Sequence, residues 1–432
     1  MGRIVQKYGG SSVADAASIK RVARRIADVR AAGNEVVVVI SAMGDTTDDL
    51  MDLALKVSDH PVPRELDMLI TTGERQSAAL LAMALSDLGV PACSFTGSQA
   101  GIITTSAHGD ARIIDITPGR VVASMQEGKV VIVAGFQGVA QTTKDVTTLG
   151  RGASDTTAVA LADALQADYC EIFTDVDGVF SADPRLVSSA RRIPKISYEE
   201  MLEMAASGAK VLHLRCVEYA RSAGMPIHVR SSFSESPGTW VTDGPMAGPE
   251  HIEDVVESPN MEQAIVSGVA QDSSVAKITI TGVPDKLGSA ARLFKAIAQA
   301  GVNVDMIVQN VPRADEPLAD ITFTLPMDDA QRASQALDAI REDVGFAGYE
   351  YDDHVAKVSI VGVGMRSNPG VAADLFGALA DAGINIDMIS TSDIRASVVV
   401  QAKDVQKAVQ AAHRAFKLDS DSEAVVYAGT GR

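Results

Sequence analysis

Aromatic residues are scarce in this 432-residue chain, at 4%, with a single tryptophan. Base stacking on nucleic acid therefore has little to work with. Positive charge is short as well: 38 Lys and Arg against 56 Asp and Glu give a formal net charge of −18. That balance argues against binding along a phosphate backbone. An anionic substrate has to be captured by a local basic pocket, since the global field repels it. Cys93, Cys170 and Cys216 are far apart, odd in number and in no C-x-x-C pair, which reads as free thiols in a reducing compartment. The seven histidines show no H-x₃-H or H-E-x-x-H spacing. No Walker loop occurs, the N-terminus has no apolar h-region, and no apolar run approaches membrane-spanning length. Neither nucleic acid nor a membrane is an expected partner, and the expected location is cytoplasmic.

What remains is an ordinary soluble composition, 46% apolar and 22% charged. The chain is too long for one core, so two or three domains are expected. Up to about residue 231 strands and helices alternate. Arg3–Gln6, Glu35–Ser41, Lys129–Ala134, Tyr169–Thr174 and Ile227–Arg230 read as buried strands. Ser18–Ala31, about Arg64–Leu88 and Asp155–Leu165 read as helices, the first stopped by Gly33 and Asn34. Such alternation predicts a mostly parallel sheet covered by helices on both sides. A Pro-, Gly- and Ser-rich stretch from Ser231 reads as a connector with a short strand at Thr239–Val241.

Beyond the connector the chain repeats itself. ARLFKAIAQAGVNVDMI at Ala291–Ile307 matches ADLFGALADAGINIDMI at Ala373–Ile389, an offset of 82. Each copy opens on an alternating strand, at Lys277 and at Lys357, and reads as a contiguous βαββαβ unit. Two such units can pair edge to edge and leave ligand clefts where strand meets helix.

The first half carries the chemistry. KYGGSS at Lys7–Ser12 follows a strand directly, and lysine with two glycines builds a phosphate cradle; the bland alternative is a surface lysine beside a turn. SAMGDTT at Ser41–Thr47 leaves the central strand where open α/β sheets bind ligands, and Thr46 or Thr47 could equally cap the next helix. In TTGERQ, Glu74 could pair with a substrate ammonium or be a solvated helix charge. In LGRGASDTT, Gly150 and Gly152 free the backbone, Arg151 can clamp a carboxylate, and Asp155 stands at a helix N-terminus that favours anions. TDVDGVFSADPR at Thr174–Arg185 lacks the closing glutamate of a calcium loop and fits a nucleotide-contacting turn better. Lys210 is a second candidate phosphate lysine.

Taken in order, these segments, with GFQG at Gly135–Gly138 and GAKVLH around Lys210, resemble the aspartate kinases of the amino-acid kinase family, and the C-terminal repeat resembles their paired ACT domains. The resemblance covers nearly the whole chain and is nearest in look to actinobacterial members under lysine and threonine control. It implies a three-layer αβα sandwich with a mostly parallel sheet over residues 1–245, a linker at 246–262, and two α+β βαββαβ domains of the ACT, ferredoxin-like type at 263–345 and 346–432. The implied reaction moves the γ-phosphoryl group of ATP, with Mg²⁺, to the side-chain carboxylate of L-aspartate, the entry to lysine, threonine and methionine synthesis. Lysine and/or threonine would inhibit it.

By this resemblance Lys7 and Asp155 match the catalytic pair. Ser41, Asp45, Thr46, Thr47, Glu74, Arg151, Gly152, Ala153 and Ser154 match substrate-binding positions. Lys7, Tyr8, Gly9, Gly10, Thr174, Asp175, Phe180, Ser181, Ala182, Asp183, Pro184, Arg185 and Lys210 match nucleotide-contacting ones. Asp285, Leu287, Gly288, Asn303, Asp305, Gln309 and Met365 match the surroundings of inhibitor clefts. Two positions depart from the family pattern. Ala153 stands where relatives carry glycine, and a left-handed backbone there would strain alanine by about 1 kcal/mol. Leu287 stands where they carry proline. The resemblance also implies an assembly, either a homo-oligomer or a heterotetramer with a shorter C-terminal subunit started at Met246 or Met261. The weighed alternatives are a kinase of the same fold with another acceptor and a catalytically impaired amino-acid sensor.

Overall fold

The computed structural model describes residues 2–150, 152–244, 265–310, 318–420 and 422–428. Arg151 and the linker at 246–262, with Met246 and Met261, lie outside them. The chain divides into two compact units. The first holds residues 1–205, 210–261 and 420–432, and the second holds 206–209 and 262–419.

The first unit is built on an eight-stranded sheet of β1 (Arg3–Tyr8), β2 (Glu35–Ile40), β3 (Ala92–Phe95), β6 (Val130–Ala134), β9 (Tyr169–Thr174), β10 (Lys195–Ile196), β11 (Ile227–Ser231) and β12 (Thr239–Val241). Their order is β10-β12-β11-β9-β1-β2-β6-β3. Neighbours are parallel except β11 and β12. Five successive residues of β2, Val36–Ile40, are buried, so both faces are covered. Val36, Val38 and Ile40 pack with residues of α1 (Ala16–Ala31) and α4 (Thr72–Asp87). Another layer holds α6 (Ala153–Ala164), against β1, β2 and β9, and α8 (Leu214–Ala223), against α6. The expected sandwich is therefore present. The start of α1 is set by Asp15, whose carboxylate accepts from the Ser18 N–H at 2.7 Å.

Two features of this unit were not expected. A second sheet of β4 (Ile102–Thr104), β5 (Ile113–Ile116), β7 (Gln137–Ala140) and β8 (Val146–Thr148) runs in the order β5-β4-β7-β8. And the single helix expected over Arg64–Leu88 is two, α3 (Pro63–Ile70) and α4, with Thr71 between them. The break has a physical cause: the Thr71 carbonyl accepts from the Gln137 side-chain amide at 3.2 Å. Between β2 and α3 lies α2 (Thr46–Val57), and α5 (Gly119–Gln126) and α7 (Tyr198–Ala206) complete the helices of this region.

The second unit holds two four-stranded antiparallel sheets. One has the order β15-β16-β14-β17, from β14 (Val275–Pro284), β15 (Ile307–Gln309), β16 (Leu318–Pro326) and β17 (Gly348–Asp352), with α9 (Ser289–Gln299) and α10 (Ala330–Val344). The other has the order β13-β18-β20-β19, from β13 (Gly268–Asp272), β18 (Val355–Val361), β19 (Met388–Thr391) and β20 (Arg395–Gln401), with α11 (Val371–Asp381) and α12 (Val405–Ala415). The repeat seen in the sequence is thus structural, but its copies are not contiguous. The last strand of the first copy, β17, lies beyond residue 345. The second copy takes its outer strand from β13, ahead of the first copy, because residues after α12 leave for the first unit. Nor do the copies join into one sheet. They meet through a shared cluster in which Met306 and Met388 are repeat mates, and through crossed ion pairs. Lys357 Nζ lies 2.6 Å from Asp305 Oδ2, and its repeat counterpart Lys277 Nζ lies 3.3 Å from Asp387 Oδ2. Among the described residues no helix is long and apolar enough to cross a membrane.

Candidate active site

β1, β2, β6, β9 and β11 all run the same way, so their carboxyl ends define one rim. β1 delivers Lys7 one residue before its end. α6 begins directly after Gly152, placing Asp155 in its first turn. The two residues, 148 positions apart in sequence, meet: Lys7 Nζ is 2.6 Å from Asp155 Oδ1, with side chains 13% and 10% exposed. A contact this short and this buried fixes where the ammonium points.

The glycines next to Lys7 are there for space. A Cβ on Gly9 would come within 3.3 Å of Lys7 Nζ, and one on Gly10 within 2.9 Å of the Gly44 carbonyl oxygen. The KYGG turn is therefore pressed against Ala42–Gly44, the loop leaving β2, and the Gly44 N–H donates to the Gly10 carbonyl at 3.1 Å. Glu74 reaches the same loop. It is 3% exposed, Oε1 accepts from the Ala42 N–H at 3.3 Å, and Oε2 is buried without a hydrogen-bond partner. Burial pushes its carboxyl up to about 7, only partly opposed by the Glu74 and Ala42 N–H groups and by Arg75. Gly73 makes the approach possible, since a Cβ there would sit 2.8 Å from the Ala42 Cβ. Ser41, whose N–H donates to the Tyr8 carbonyl at 3.0 Å, lies on this rim. Asp45 occupies the N-cap of α2 without a side-chain bond, and Thr46 and Thr47 open that helix. The Thr46 hydroxyl turns back to the Met43 carbonyl, at 2.6 Å.

The loop before α6 settles the Ala153 question. Gly152 takes the left-handed conformation, φ 74°, and Ala153 is the first helical residue, fully buried beside Ile70, Phe136 and Leu149. The positive φ falls one residue earlier, so alanine bears no such strain. Ser154 packs on Gly135, where a Cβ would meet its Oγ at 2.8 Å. Tyr8 can take part only in one way. Its ring is fully buried and stacks on Phe173 at 4.6 Å, so only its backbone can face a nucleotide. Ser181 and Ala182 are buried as well. In the same segment Arg185 Nη2 donates to Asp175 Oδ2 at 3.0 Å and the Thr174 hydroxyl to Asp175 Oδ1 at 3.0 Å. The Arg185 N–H donates to Asp183 Oδ1 at 2.9 Å. Phe180 and Pro184 are half-buried, and Lys210 is exposed on the turn ahead of α8.

Three contributors escaped the sequence reading. His213 packs under the α6 loop, where a Cβ on Gly152 would meet its ring at 2.7 Å. Burial holds its imidazole below the usual range, partly offset by Asp155. Asp67, 1% exposed, accepts from His108 Nδ1, from the Thr148 hydroxyl and from the Gly109 and Thr148 N–H groups, tying α3 to β8. Phe136 bends the chain between β6 and β7 at φ 67°, its N–H donating to the Thr157 hydroxyl at 3.1 Å. Phe136 lies inside GFQG and His213 at the end of GAKVLH, so both sat within motifs already noted, whereas nothing in the sequence marked Asp67.

In the second unit Asp285, Leu287 and Gly288 form an exposed loop, and Gly288 has φ 89° as the N-cap of α9. Asn303, Asp305 and Gln309 are exposed and Met365 is half-buried.

Comparison with known proteins agrees with this geometry. Residues 2–231 match the amino acid kinase family, and residues 277–345 and 358–416 each match an ACT domain. The aspartokinase of Mycolicibacterium smegmatis is 60% identical over 432 residues and that of Corynebacterium glutamicum 54%, each match covering 100% of both chains. Among solved structures, aspartate kinase from Synechocystis is 44% identical, with a TM-score of 0.52 over 96% of this chain and 69% of that one. E. coli aspartokinase III, in complex with aspartate and ADP, is 26% identical, with a TM-score of 0.79 over 95% and 99%. The same enzyme with lysine and aspartate gives 0.68 over 95% and 98%. A buried lysine–aspartate pair on the rim of an α/β sandwich, followed by paired ACT sheets and matched end to end by such relatives, places this chain in the aspartokinase family.

Proposed function

We propose that this ATP-dependent aspartate kinase works through Lys7, Asp155 and Glu74 as one site on the rim of the main sheet. The observation that carries the reading is the 2.6 Å Lys7–Asp155 pair beside the glycine turn. Phosphoryl transfer asks for alignment and charge neutralisation more than for covalent help. Lys7 supplies positive charge to the transferred group, and Asp155 holds the ammonium in place. The N–H groups at the start of α6 face the same space. The acceptor carboxylate of L-aspartate is already ionised at neutral pH, so no strong general base is required. Glu74 takes the substrate ammonium, which draws the buried carboxyl into its ionised form. Arg151 takes the α-carboxylate, with Ser41, Asp45, Thr46, Thr47, Gly152, Ala153 and Ser154 shaping the pocket.

Gly9, Gly10, the Tyr8 backbone, Thr174–Arg185 and Lys210 form the nucleotide side. Mg²⁺ fits this donor set as a companion of the nucleotide, with the buried Asp155 carboxylate as an oxygen donor; when bound it spreads the charge of the transferred group.

Lysine and threonine act at the second unit, near Asp285, Leu287, Gly288, Asn303, Asp305, Gln309 and Met365. The lysine complex of E. coli aspartokinase III supports lysine as an effector. ACT domains commonly pair between chains, which supports an assembly of at least two copies or one with a shorter C-terminal subunit. The test is hydroxamate trapping of the acyl phosphate with aspartate and glutamate in parallel, with and without lysine and threonine. Product with aspartate alone, suppressed by effector, is expected. Equal product from glutamate refutes the substrate assignment, and activity untouched by both effectors refutes the regulation.

A further inference from the structure

The chain returns to its first unit at Ser420 and runs along the segment assigned above to the nucleotide. The Ser420 N–H donates to the Ser189 carbonyl at 2.8 Å, the Ala424 N–H to the Ser188 carbonyl at 2.8 Å, and the Tyr427 N–H to the Asp175 carbonyl at 2.9 Å. Val426 and Val176 pair as an antiparallel bridge. The Tyr427 hydroxyl donates to Asp177 Oδ2 at 3.2 Å, and the other oxygen of that carboxylate accepts from Ser234. The Tyr427 ring stacks on Phe233 at 5.9 Å with the planes 10° apart, and the Arg21 guanidinium lies 4.5 Å from the Phe233 centroid. Backbone pairing gives such an added strand its affinity, and an aromatic anchor fixes its register.

We infer that Ser420 and residues 422–427 act as a strap that holds the Asp175–Arg185 turn in its nucleotide-binding shape, with Tyr427 as a positioning residue. The inference rests on the nucleotide reading of that turn. From Val179 onward the turn pairs with itself, Phe180 bridging Arg192 and the Ser181 N–H donating to the Arg191 carbonyl, but its leading residues Asp175 and Val176 find their backbone partners in the strap. Asp175 stands between the two clamps: its carbonyl is held by the strap and its carboxylate holds Arg185. Without the strap the nucleotide would have to order the turn as it binds, and that weakens binding. Aspartate, held on the Glu74 side, would not feel the change.

The experiment uses the full chain with Tyr427→Phe, Tyr427→Ala or Arg185→Ala, and a chain ended at Asp419. KM for ATP and for aspartate are measured by hydroxamate trapping, with melting temperature alongside. Loss of one positioning contact predicts a rise in KM for ATP of about threefold to tenfold for Tyr427→Ala, less for Tyr427→Phe and at least as much for the shortened chain. KM for aspartate stays within about twofold. Unchanged KM for ATP in both Tyr427→Ala and the shortened chain overturns the strap, as does a parallel rise in both constants with a lowered melting temperature. Arg185→Ala separates the two ideas. If it leaves KM for ATP unchanged, the nucleotide reading of the turn falls and the strap falls with it. If it raises KM for ATP while Tyr427→Ala does not, only the strap falls.

Discussion

Replacing Glu74 by glutamine tests the site through two observables of opposite sign. The carboxyl is nearly sealed from water, and burial raises it from 4.5 to about 7. At 1.36 kcal/mol per pH unit, that rise corresponds to a stability cost of about 3 kcal/mol once the group is ionised in the fold. The sign follows from where protons bind. Below pH 4.5 folded and unfolded chains both carry the proton and no cost exists. Between 4.5 and about 7 only the unfolded chain loses it, so the cost grows with pH; above about 7 it is complete. Glu74→Gln keeps the shape and removes the charge. It should therefore raise stability at pH 8 by about 2–3 kcal/mol and leave it nearly unchanged at pH 4.5. Binding should move the other way. Removing one partner of a buried charge pair costs about 2–5 kcal/mol, so KM for aspartate should rise at least about 30-fold at pH 8 while KM for ATP holds. In the parent enzyme KM for aspartate should rise as pH falls below about 7, because the protonated carboxyl no longer attracts an ammonium. Urea titrations at the two pH values and initial rates against aspartate measure all of this. A variant less stable at pH 8, or one with an unchanged KM for aspartate, refutes the reasoning.

Lys7→Met should lower kcat about 10²–10³-fold and destabilise the fold by about 3 kcal/mol by stranding Asp155. Adding Asp155→Asn should restore most of the stability and none of the activity, and a denaturation curve beside a rate assay separates the two effects. His228, stacked on Trp240 at 4.1 Å, is held down to about 4 mainly by burial, so beside Glu171 it is a neutral ring. Its folded value lies below the ordinary 6.5, so stability should fall by about 3 kcal/mol as pH drops from 6.5 towards 4. His228→Gln should flatten that slope in urea melts at pH 7 and pH 5. Lys357→Met should destabilise the second unit by about 1–3 kcal/mol, since Lys357 is 3% exposed. Lys277→Met should cost less, about 1 kcal/mol, because Lys277 is 19% exposed and its ammonium lies 3.3 Å rather than 2.6 Å from its aspartate; calorimetry showing equal losses contradicts the asymmetry.

Much of the fold was legible because its determinants are local. EVVVVI and VVIVA are buried β-branched runs that allow little except central strands, and the N-x-D-M-I repeat exposed the paired units at once. What was not legible depended on distant partners. Nothing in RELDMLITTGERQ announces a helix break at Thr71, since the group that captures its carbonyl, Gln137, lies 66 residues away. The three- and four-residue strands of the second sheet are too short for periodicity to register. The outer strand β13 could not be assigned by order along the chain, because it pairs with β18 across the whole first copy. Among site residues, Lys7, Asp155 and Glu74 were legible as residue types beside glycines. For Tyr8 the motif did not show which group could face a ligand: strand alternation turns its ring to the opposite face from Lys7, into the core with Phe173, and leaves only its backbone on the rim.

The two positions that depart from the family pattern show why a substitution in a glycine- or proline-rich motif has to be weighed against the backbone. At the α6 loop the left-handed residue is Gly152, so Ala153 begins the helix in good geometry and fills a pocket against Phe136 and Leu149. The strain is at Phe136 instead, where φ is 67° and the expected cost is about 1–2 kcal/mol. There it is offset by the Thr157 hydroxyl on the Phe136 N–H and by the Leu149 N–H on its carbonyl. Leu287 presents the opposite case. Its side chain is fully exposed, and the left-handed turn belongs to Gly288 at φ 89°, as it does in the second copy to Gly370 at φ 105° after Pro369. The glycine sets the shape of both loops. Leucine in place of proline removes no packing; it frees φ at one position and so enlarges the ensemble the loop must leave when it orders. An effect of Leu287 on effector binding therefore has to be entropic, a weaker affinity in an unchanged cleft, whereas a change at Gly288 would alter the cleft itself.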